Sequence, residues 1–368
     1  MNRLTSYSAI LLLAIALLLG CISCKKHSDE SVSSGVNYSK IVYVGSTSLS
    51  QARNFATGSS SGNKILIAGG NNGNGVFYKT VDIYDISTGT WTVSQLSEGK
   101  YDLASATVGN KIFFGGGWTT NPPAYSMSLD IYDVTNGQWT NMALSQGRGS
   151  LAAASAGDFV LFAGGYCGTQ SDVVEICNPN SQQWPIGHLS AARDYLTGVS
   201  WGTKIFFAGG NLGAGNTSDA VDIYDINTGQ WSLAHLSVKR YRACAAAAGG
   251  KVFFAGGAVV DSLNSVVDIY DMNSSLWTTS RLSKARNFIA AVSVGNLILF
   301  AGGIAGTALS DVIDIYNVNT GKWSVANLSF PRENLTAVSA GNKVLIAGGL
   351  MGLQWTDVTA TVDIFQAE

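Results

Sequence analysis

The sequence is poor in charge, in proline and in histidine. Charged residues make up 12% of its 368 residues, the formal net charge is −2, and there are only 5 Pro and 3 His. A chain with so little net charge offers no electrostatic basis for binding nucleic acid or an acidic membrane surface. We therefore expect neither as a partner.

Cysteine is also scarce once the first 30 residues are set aside. The three that remain, Cys167, Cys177 and Cys244, are odd in number and show no Cys-x-x-Cys spacing. This pattern predicts neither a disulfide framework nor a zinc site. We expect Cys177 and Cys244 to be buried thiols, and we expect no metal and no cofactor.

Glycine and aromatic residues, by contrast, are abundant. The chain has 43 Gly, and 10% of its residues are Phe, Trp or Tyr. Abundant glycine together with β-branched and aromatic residues is typical of an all-β protein with many tight turns.

The N-terminal segment has the features of an export signal. An apolar run over residues 10–19 is shorter than the ~20 residues that a membrane-spanning helix needs, so it is typical of a signal sequence. The run ends in Leu-Leu-Gly-Cys at residues 18–21, which resembles the lipobox of bacterial lipoproteins. The resemblance implies a signal peptide over residues 1–20 and lipid attachment at Cys21, with Cys24 as the competing site.

A location outside the cytoplasm follows from that resemblance. It implies a bacterial lipoprotein at the outer membrane or cell surface, held to the membrane through its lipid only. An ordinary secretory signal is the alternative. Residues 21–39 are polar and rich in Ser, and we expect them to form a flexible tether.

A repeat with a period of 45 to 48 residues fills the rest of the chain. Each unit has an apolar segment ending in a Gly pair and a Val-Asp-Ile-Tyr-Asp-like segment, and in all units but the last a turn and a Trp follow. A Leu-Ser pair before a cation separates each unit from the one before it. Seven such units of four strands each predict a β-propeller. The Gly pairs are Gly69-Gly70, Gly116-Gly117, Gly164-Gly165, Gly209-Gly210, Gly256-Gly257, Gly302-Gly303 and Gly348-Gly349.

The order of double Gly, downstream Tyr and then Trp resembles the kelch repeat. The resemblance covers residues 40–368 and implies an all-β, seven-bladed kelch-type β-propeller, the architecture also found in galactose oxidase and the kelch ubiquitin-ligase adaptors. We expect a monomeric propeller. Its blades are expected at about 49–95, 96–143, 144–188, 189–235, 236–281, 282–327 and 328–368.

The last unit lacks its outer strand, because there are seven Gly pairs and only six repeat Trp. The chain stops after the third strand of that unit. We predict that residues 41–47 supply the missing strand, with Val44 in the Trp position. This would close the ring and remove an exposed sheet edge.

A cation follows every Leu-Ser pair, on the face that carries the links between blades. Seven cations around one channel mouth would be a candidate site for an anion or carbonyl group, and in the kelch adaptors such arginines help to bind acidic peptides. The alternative is architectural, since an Arg there can hydrogen-bond carbonyl groups between blades. The residues are Arg53, Lys100, Arg148, Arg193, Arg240, Arg286 and Arg332.

Aromatic residues are concentrated in the loops on the same face. They belong to blades seven, one, two and three, which are consecutive, so we expect them to crowd one side of the channel mouth. Exposed loop aromatics favour contact with a carbohydrate or peptide, and local packing is the alternative. The residues are Phe77, Tyr78, Trp118, Tyr125, Tyr166 and Trp355.

Catalytic motifs are not apparent. His188 and His235 occupy equivalent rim positions, the residues of a copper site like that of galactose oxidase are missing, and no Gly-x-Ser-x-Gly motif occurs. The preferred hypothesis is therefore a binding or scaffold module for a glycan or a protein partner.

The alternative hypothesis is a carbohydrate-active enzyme, since a bacterial sialic-acid mutarotase also resembles kelch propellers. Glu333 beside Arg332, with Asp102 or Asp194, would then supply the acid and base groups, because proton transfer needs only a positioned carboxylate.

Overall fold

The computed structural model describes residues 36–120, 124–181, 184–259 and 262–368. The predicted signal peptide and both candidate lipidation sites, Cys21 and Cys24, lie outside the described residues. Within these ranges the chain forms strands and turns only, without a helix. No helix long and apolar enough to cross a membrane is found among them.

Seven four-stranded antiparallel sheets form the blades of a propeller, as predicted. In each blade the chain runs from the innermost strand outward. The strands of blades one to four are Thr57–Ser61, Lys64–Ala68, Thr80–Asp85 and Thr90–Gln95; Ala104–Val108, Lys111–Gly115, Ser128–Asp133 and Gln138–Ala143; Ala152–Ala156, Phe159–Ala163, Val173–Cys177 and Ile186–His188; and Thr197–Trp201, Lys204–Ala208, Ala220–Asp225 and Gln230–His235.

The remaining three blades have the same order. Their strands are Cys244–Ala248, Lys251–Ala255, Val266–Asp271 and Leu276–Arg281; Ala290–Val294, Leu297–Ala301, Val312–Asn317 and Lys322–Asn327; and Thr336–Ala340, Lys343–Ala347, Thr361–Ala367 and Ile41–Ser48. Three blades carry an extra short hairpin between their second and third strands. These pairs are Asn211–Gly213 with Asn216–Thr217, Ala258–Val259 with Ser262–Leu263, and Ile304–Ala305 with Ala308–Leu309.

The Gly pair forms the joint between neighbouring blades. In blade one, the Gly70 N–H donates to the carbonyl oxygen of Lys100, the first buried cation of blade two, at 3.0 Å. Gly69 has a φ of 68°, and a Cβ atom there would lie 2.6 Å from the same oxygen. Only glycine fits so close an approach with that backbone conformation, which explains why the pair recurs in every blade.

Tyr and Trp of the outer two strands pack between the blades. Tyr132 and Trp139 have ring centroids 4.9 Å apart, and the Trp139 indole N–H donates to the Ser94 hydroxyl of the preceding blade at 2.8 Å. Trp139 therefore joins two neighbouring blades. Blade three differs, because Trp184 lies before its outer strand, which begins only at Ile186 after a proline that cannot donate a ladder hydrogen bond.

The N-terminal strand Ile41–Ser48 completes blade seven, as the sequence predicts. It pairs antiparallel with Thr361–Ala367. The expectation that Val44 occupies the Trp position is wrong, because a bulge shifts the register there and Tyr43 faces Phe365 instead. The two rings stand edge to face at 5.5 Å.

The chain enters the propeller on the face opposite the links between blades. Asn296 lies between the first and second strands of blade six. The Tyr38 N–H donates to the Asn296 side chain at 2.5 Å, and the Asn317 amide donates to the Tyr38 carbonyl oxygen at 3.1 Å. Residues 37–39, which fall in the predicted tether, are thus packed onto blades six and seven.

Candidate functional site

The seven cations that follow the Leu-Ser pairs are buried inside their blades. Each is 0% exposed and forms an ion pair with the carboxylate on the third strand of the same blade. Arg53, for example, also donates to the Ile67 carbonyl oxygen at 3.0 Å, and its partner Asp82 accepts the Ser50 N–H at 2.9 Å. The pairs are Arg53–Asp82, Lys100–Asp130, Arg148–Glu175, Arg193–Asp222, Arg240–Asp268, Arg286–Asp314 and Arg332–Asp363.

Burial has an electrostatic cost that the paired acids offset. Loss of water lowers the pKa of Lys100, for example, and the nearby Asp130 carboxylate opposes that shift. A ligand at the surface cannot reach a side chain that is fully buried and already paired. The placement of the seven cations fits the architectural alternative, and we leave them out of the candidate site.

A second ring lies two residues after each cation, and we call it the collar. Its seven members all have a left-handed backbone, with φ between 49° and 54°, a conformation that costs a residue with a side chain about 1–2 kcal/mol. Sequence reasoning missed this ring because its residue types differ from blade to blade. Its members are Phe55, Asp102, Ser150, Tyr195, Arg242, Phe288 and Asn334.

Backbone hydrogen bonds join the collar head to tail around the channel. The Asp102 N–H donates to the Phe55 carbonyl oxygen at 3.1 Å, and the same step recurs between five further neighbouring pairs, with distances up to 3.4 Å. Each bond links one blade to the next. This explains how the strained backbone persists: the surrounding ring fixes it in every blade.

The collar surrounds a cavity of about 210 Å³. Its wall carries both charged and apolar side chains. The collar residues that line it are Phe55, Asp102, Tyr195, Arg242, Phe288 and Asn334.

Arg242 is held between two aromatic rings of the collar. Its guanidinium carbon lies 4.2 Å from the ring centroids of both Tyr195 and Phe288. Such cation–π stacking fixes the plane of the guanidinium. Its Nε is buried without a hydrogen-bond partner, and among the described residues no hydrogen bond or ion pair engages the group.

Three acids near the channel mouth lose water on folding. Burial raises the pKa of Asp102, of Asp194 and of Glu333 above the ordinary carboxyl value, although hydrogen bonds or the Arg242 charge oppose the shift. Asp102 accepts a hydrogen bond of 2.6 Å from the Ser150 hydroxyl. Glu333 is 9% exposed, and its Oε2 has no hydrogen-bond partner in the described chain.

The loop aromatics form one continuous surface on a single side of the mouth, which we call the aromatic wall. Trp355 stacks on Phe55 at 5.9 Å, Phe55 contacts Tyr101 at 6.1 Å, Tyr101 stacks on Trp118 at 6.4 Å, and Trp118 stacks on Tyr166 at 5.8 Å. These five residues define the wall. Because Phe55 is also a collar residue, the wall continues into the cavity.

The other predicted aromatics lie behind or beside the wall. Phe77 packs on Tyr101 at 4.7 Å, and Tyr125 packs edge-on against Trp118 at 5.0 Å. Tyr78 donates its backbone N–H to the Gly70 carbonyl oxygen at 2.8 Å and takes no part in these ring contacts. The structure thus brings together five of the six predicted aromatics, while Tyr101 and Phe55 complete the set.

Other candidate chemistry is weak in the described part of the chain. His188 and His235 are exposed at the rim, beside Asp172 and Asp219. No cluster of His, Cys, Asp and Glu suited to a metal ion occurs within the described ranges. Cys177 and Cys244 are buried free thiols, as expected.

Comparison with known proteins gives the same architecture. The protein is a seven-bladed β-propeller with a cavity at its channel mouth. A family model for the kelch motif then matches residues 52–94 and 285–327. The chain therefore carries kelch motifs within a seven-bladed β-propeller.

A solved structure described as "Structure of YjhT" is similar, with a TM-score of 0.61. It is 16% identical in sequence, and the match covers 76% of this chain and 99% of that chain. Identity this low shows a shared fold alone. The comparison with curated proteins found no match.

Proposed function

We propose that this propeller is a carbohydrate-binding module that holds a saccharide at the mouth of its channel. The observation that carries the proposal is the aromatic wall, which leads without a break into a cavity edged by charged side chains. A sugar ring has apolar C–H faces and a rim of hydroxyl groups. Aromatic rings can cover the faces while a few placed polar groups bind the rim.

Polar side chains in the cavity wall support this ligand class. Asp102, Arg242 and Asn334 line the cavity, and such groups can exchange hydrogen bonds with the hydroxyl groups of a sugar.

The location of the protein is part of the same proposal. The lipobox-like residues 18–21 support export and attachment through a lipid at Cys21, or at Cys24. Residues 37–39 lie on the face opposite the collar. Lipid attachment upstream of them is therefore compatible with a channel mouth that is open to a glycan.

The test is a calorimetric titration of the full chain with a panel of oligosaccharides. Trp355 is 59% exposed, so its replacement by Ala removes wall surface without opening the core. We expect Trp355→Ala to weaken binding about tenfold, as loss of an interface aromatic typically does. The matched control is Tyr43→Ala, which removes an aromatic that is 47% exposed on the outer strand of blade seven.

Two results would contradict the proposal. One is that no saccharide binds, in which case a protein or peptide ligand becomes the better hypothesis. The other is that a saccharide binds equally well to both variants, which would place its site away from the wall.

A carbohydrate-active enzyme is the second candidate, and the acids at the mouth favour it. Burial raises the pKa of Glu333 and Asp102, as a group that acts as general acid requires. Arg332 does not join them, because it is buried and paired with Asp363. Interconversion of sugar anomers, followed by NMR, should then be lost in Glu333→Gln while binding persists.

A further inference from the structure

Arg242 differs from every other cation beside the channel. Each of the seven cations that precede the collar has a carboxylate within ion-pair distance, whereas Arg242 has none among the described residues. Arg242 is half-buried, and its Nε is buried without a hydrogen-bond partner in the described chain. Its charge is therefore available to a counter-ion that enters the cavity.

Its environment prepares Arg242 to receive one. The rings of Tyr195 and Phe288 each lie 4.2 Å from the guanidinium carbon, and the N–H groups of the guanidinium point outward in its own plane. A fixed planar fork of N–H donors is the geometry that binds an oxyanion through two parallel bonds. Because Arg242 lines the cavity, that fork is available to a bound ligand.

Two acids interact with Arg242 electrostatically, but neither forms an ion pair with it. The Arg242 charge opposes the rise in the pKa of Asp102 and of Glu333, but neither carboxyl group lies within ion-pair distance of it. Asp102 is held by Ser150, and Glu333 is on a different blade from Arg242. Asp194 lies close enough to Asp102 to repel its charge. Asp102 lines the cavity, where its carboxyl group can accept a hydrogen bond from a hydroxyl group of the ligand.

From this arrangement we infer that Arg242 is an anion subsite, and that the saccharide held at the mouth carries an oxyanion, either a carboxylate or a sulfate. The inference rests on the proposed carbohydrate function and adds its substrate class. The aromatic wall would hold the sugar ring, and the Arg242 fork would select for the charged substituent.

The experiment compares three ligands on the full chain by calorimetry. They are a galacturonic acid trisaccharide, a sulfated galactose trisaccharide and a neutral galactose trisaccharide. We expect at least one charged ligand to bind about tenfold or more tightly than the neutral one, because hydrogen bonds to charged groups are strong. The carboxylated and sulfated arms show which oxyanion the fork prefers.

Two variants isolate the subsite. Arg242→Met keeps an apolar stem between the two rings and removes the charge, so it should abolish the preference for charged over neutral ligands. Arg281→Met is the matched control, since Arg281 is an exposed arginine of the same blade. Equal binding of charged and neutral ligands to the native protein would overturn the inference, as would a preference that survives in Arg242→Met.

A further arm separates failure of this inference from failure of the carbohydrate proposal. Melting temperatures are measured in sodium acetate, sodium sulfate and sodium chloride at one ionic strength. If no saccharide binds but acetate or sulfate stabilises the native protein and not Arg242→Met, the anion subsite stands and the carbohydrate proposal falls. If no saccharide and no anion acts through Arg242, both fall.

Discussion

The ring of buried cations and the collar lie two residues apart in every repeat, yet the residue type is nearly constant in the first and varies in the second. The cation position holds Arg in six blades and Lys in one, whereas the collar holds six residue types in seven blades. The cation makes the same ion pair everywhere, so one chemistry suits all blades. The collar faces the cavity, where each blade can present a different group.

This contrast shows where to look for a site in a repeat protein. A residue that recurs in every unit is satisfied by the unit itself, as Arg286 is by Asp314. A residue that varies at a position of fixed backbone geometry is free to serve a ligand. The left-handed φ of the collar identifies that position even though its side chains share nothing.

The largest effect on stability is expected when one of the repeated buried ion pairs is broken. Arg286→Ala leaves the Asp314 carboxylate buried and unpaired, so we expect the free energy of unfolding to fall by about 3–5 kcal/mol. Guanidinium denaturation followed by tryptophan fluorescence measures the change. The double replacement Arg286→Met with Asp314→Leu should recover most of the loss, because no buried charge remains.

Arg281→Ala, on the exposed outer strand, serves as the control for that experiment. If Arg286→Ala were no more destabilising than this control, the cation ring would not be architectural, and its exclusion from the candidate site would be wrong.

A smaller effect is expected at the collar backbone. Asn334 has a φ of 53°, and its side-chain nitrogen has no hydrogen-bond partner in the described chain. Asn334→Val should destabilise the protein by about 1–2 kcal/mol, because a β-branched residue is strained in this conformation. Asn334→Gly should be neutral or stabilising by the same measurement. A collar that tolerated Val and Gly equally would not be held in the left-handed conformation in solution.

The architecture could be predicted from the sequence because its determinants are local and repeated seven times. The Gly pairs, the Tyr and Trp positions and the missing outer strand together define the blades and their closure. Prediction failed where one residue changed the local register, as at Val44, where the bulge puts Tyr43 opposite Phe365. A single irregular residue leaves no periodic signal.

The candidate site was only partly predictable, for a different reason. Loop aromatics such as Trp118 and Trp355 were found because they interrupt an otherwise regular pattern. Arg242 was missed because nothing in its local sequence separates it from an ordinary surface cation. Its role depends on Tyr195 and Phe288, residues about 47 positions away in neighbouring blades that only the closed ring brings together.

The acids at the channel mouth should also give a distinctive pH dependence. Burial raises the pKa of Asp102 above its ordinary 3.8 and that of Glu333 above 4.5. The folded state therefore binds these protons more tightly than the unfolded chain. The stability they contribute is present below those ordinary values and is lost as pH rises through the raised ones.

Melting temperatures across that range measure this effect. Asp102→Asn keeps an oxygen that can accept the Ser150 hydroxyl hydrogen bond, and it should flatten the loss of stability with rising pH. Glu333→Gln should do the same. An unchanged pH profile in both variants would show that neither acid titrates abnormally, and would remove the main support for the enzyme alternative.

The smallest effect is expected at the opposite face, where an acid of the third strand meets water. Asp271 has a pKa of about 2, mainly because Lys251 donates to it, with further help from the Ser274 N–H. Lys251→Met should therefore move this pKa upward, toward 3.8, in a carbon-detected NMR titration. Because the folded pKa lies below the unfolded one, the contribution of Asp271 is present above pH 3.8 and lost as pH falls through about 2.

The same replacement should leave stability at neutral pH almost unchanged, because both partners are partly exposed and water screens their attraction. Asp271 and Asp268 are three residues apart on one strand, but Asp268 lies buried against Arg240. If Lys251→Met destabilised the protein as much as Arg240→Ala, then burial of an ion pair would not determine how much it contributes to stability.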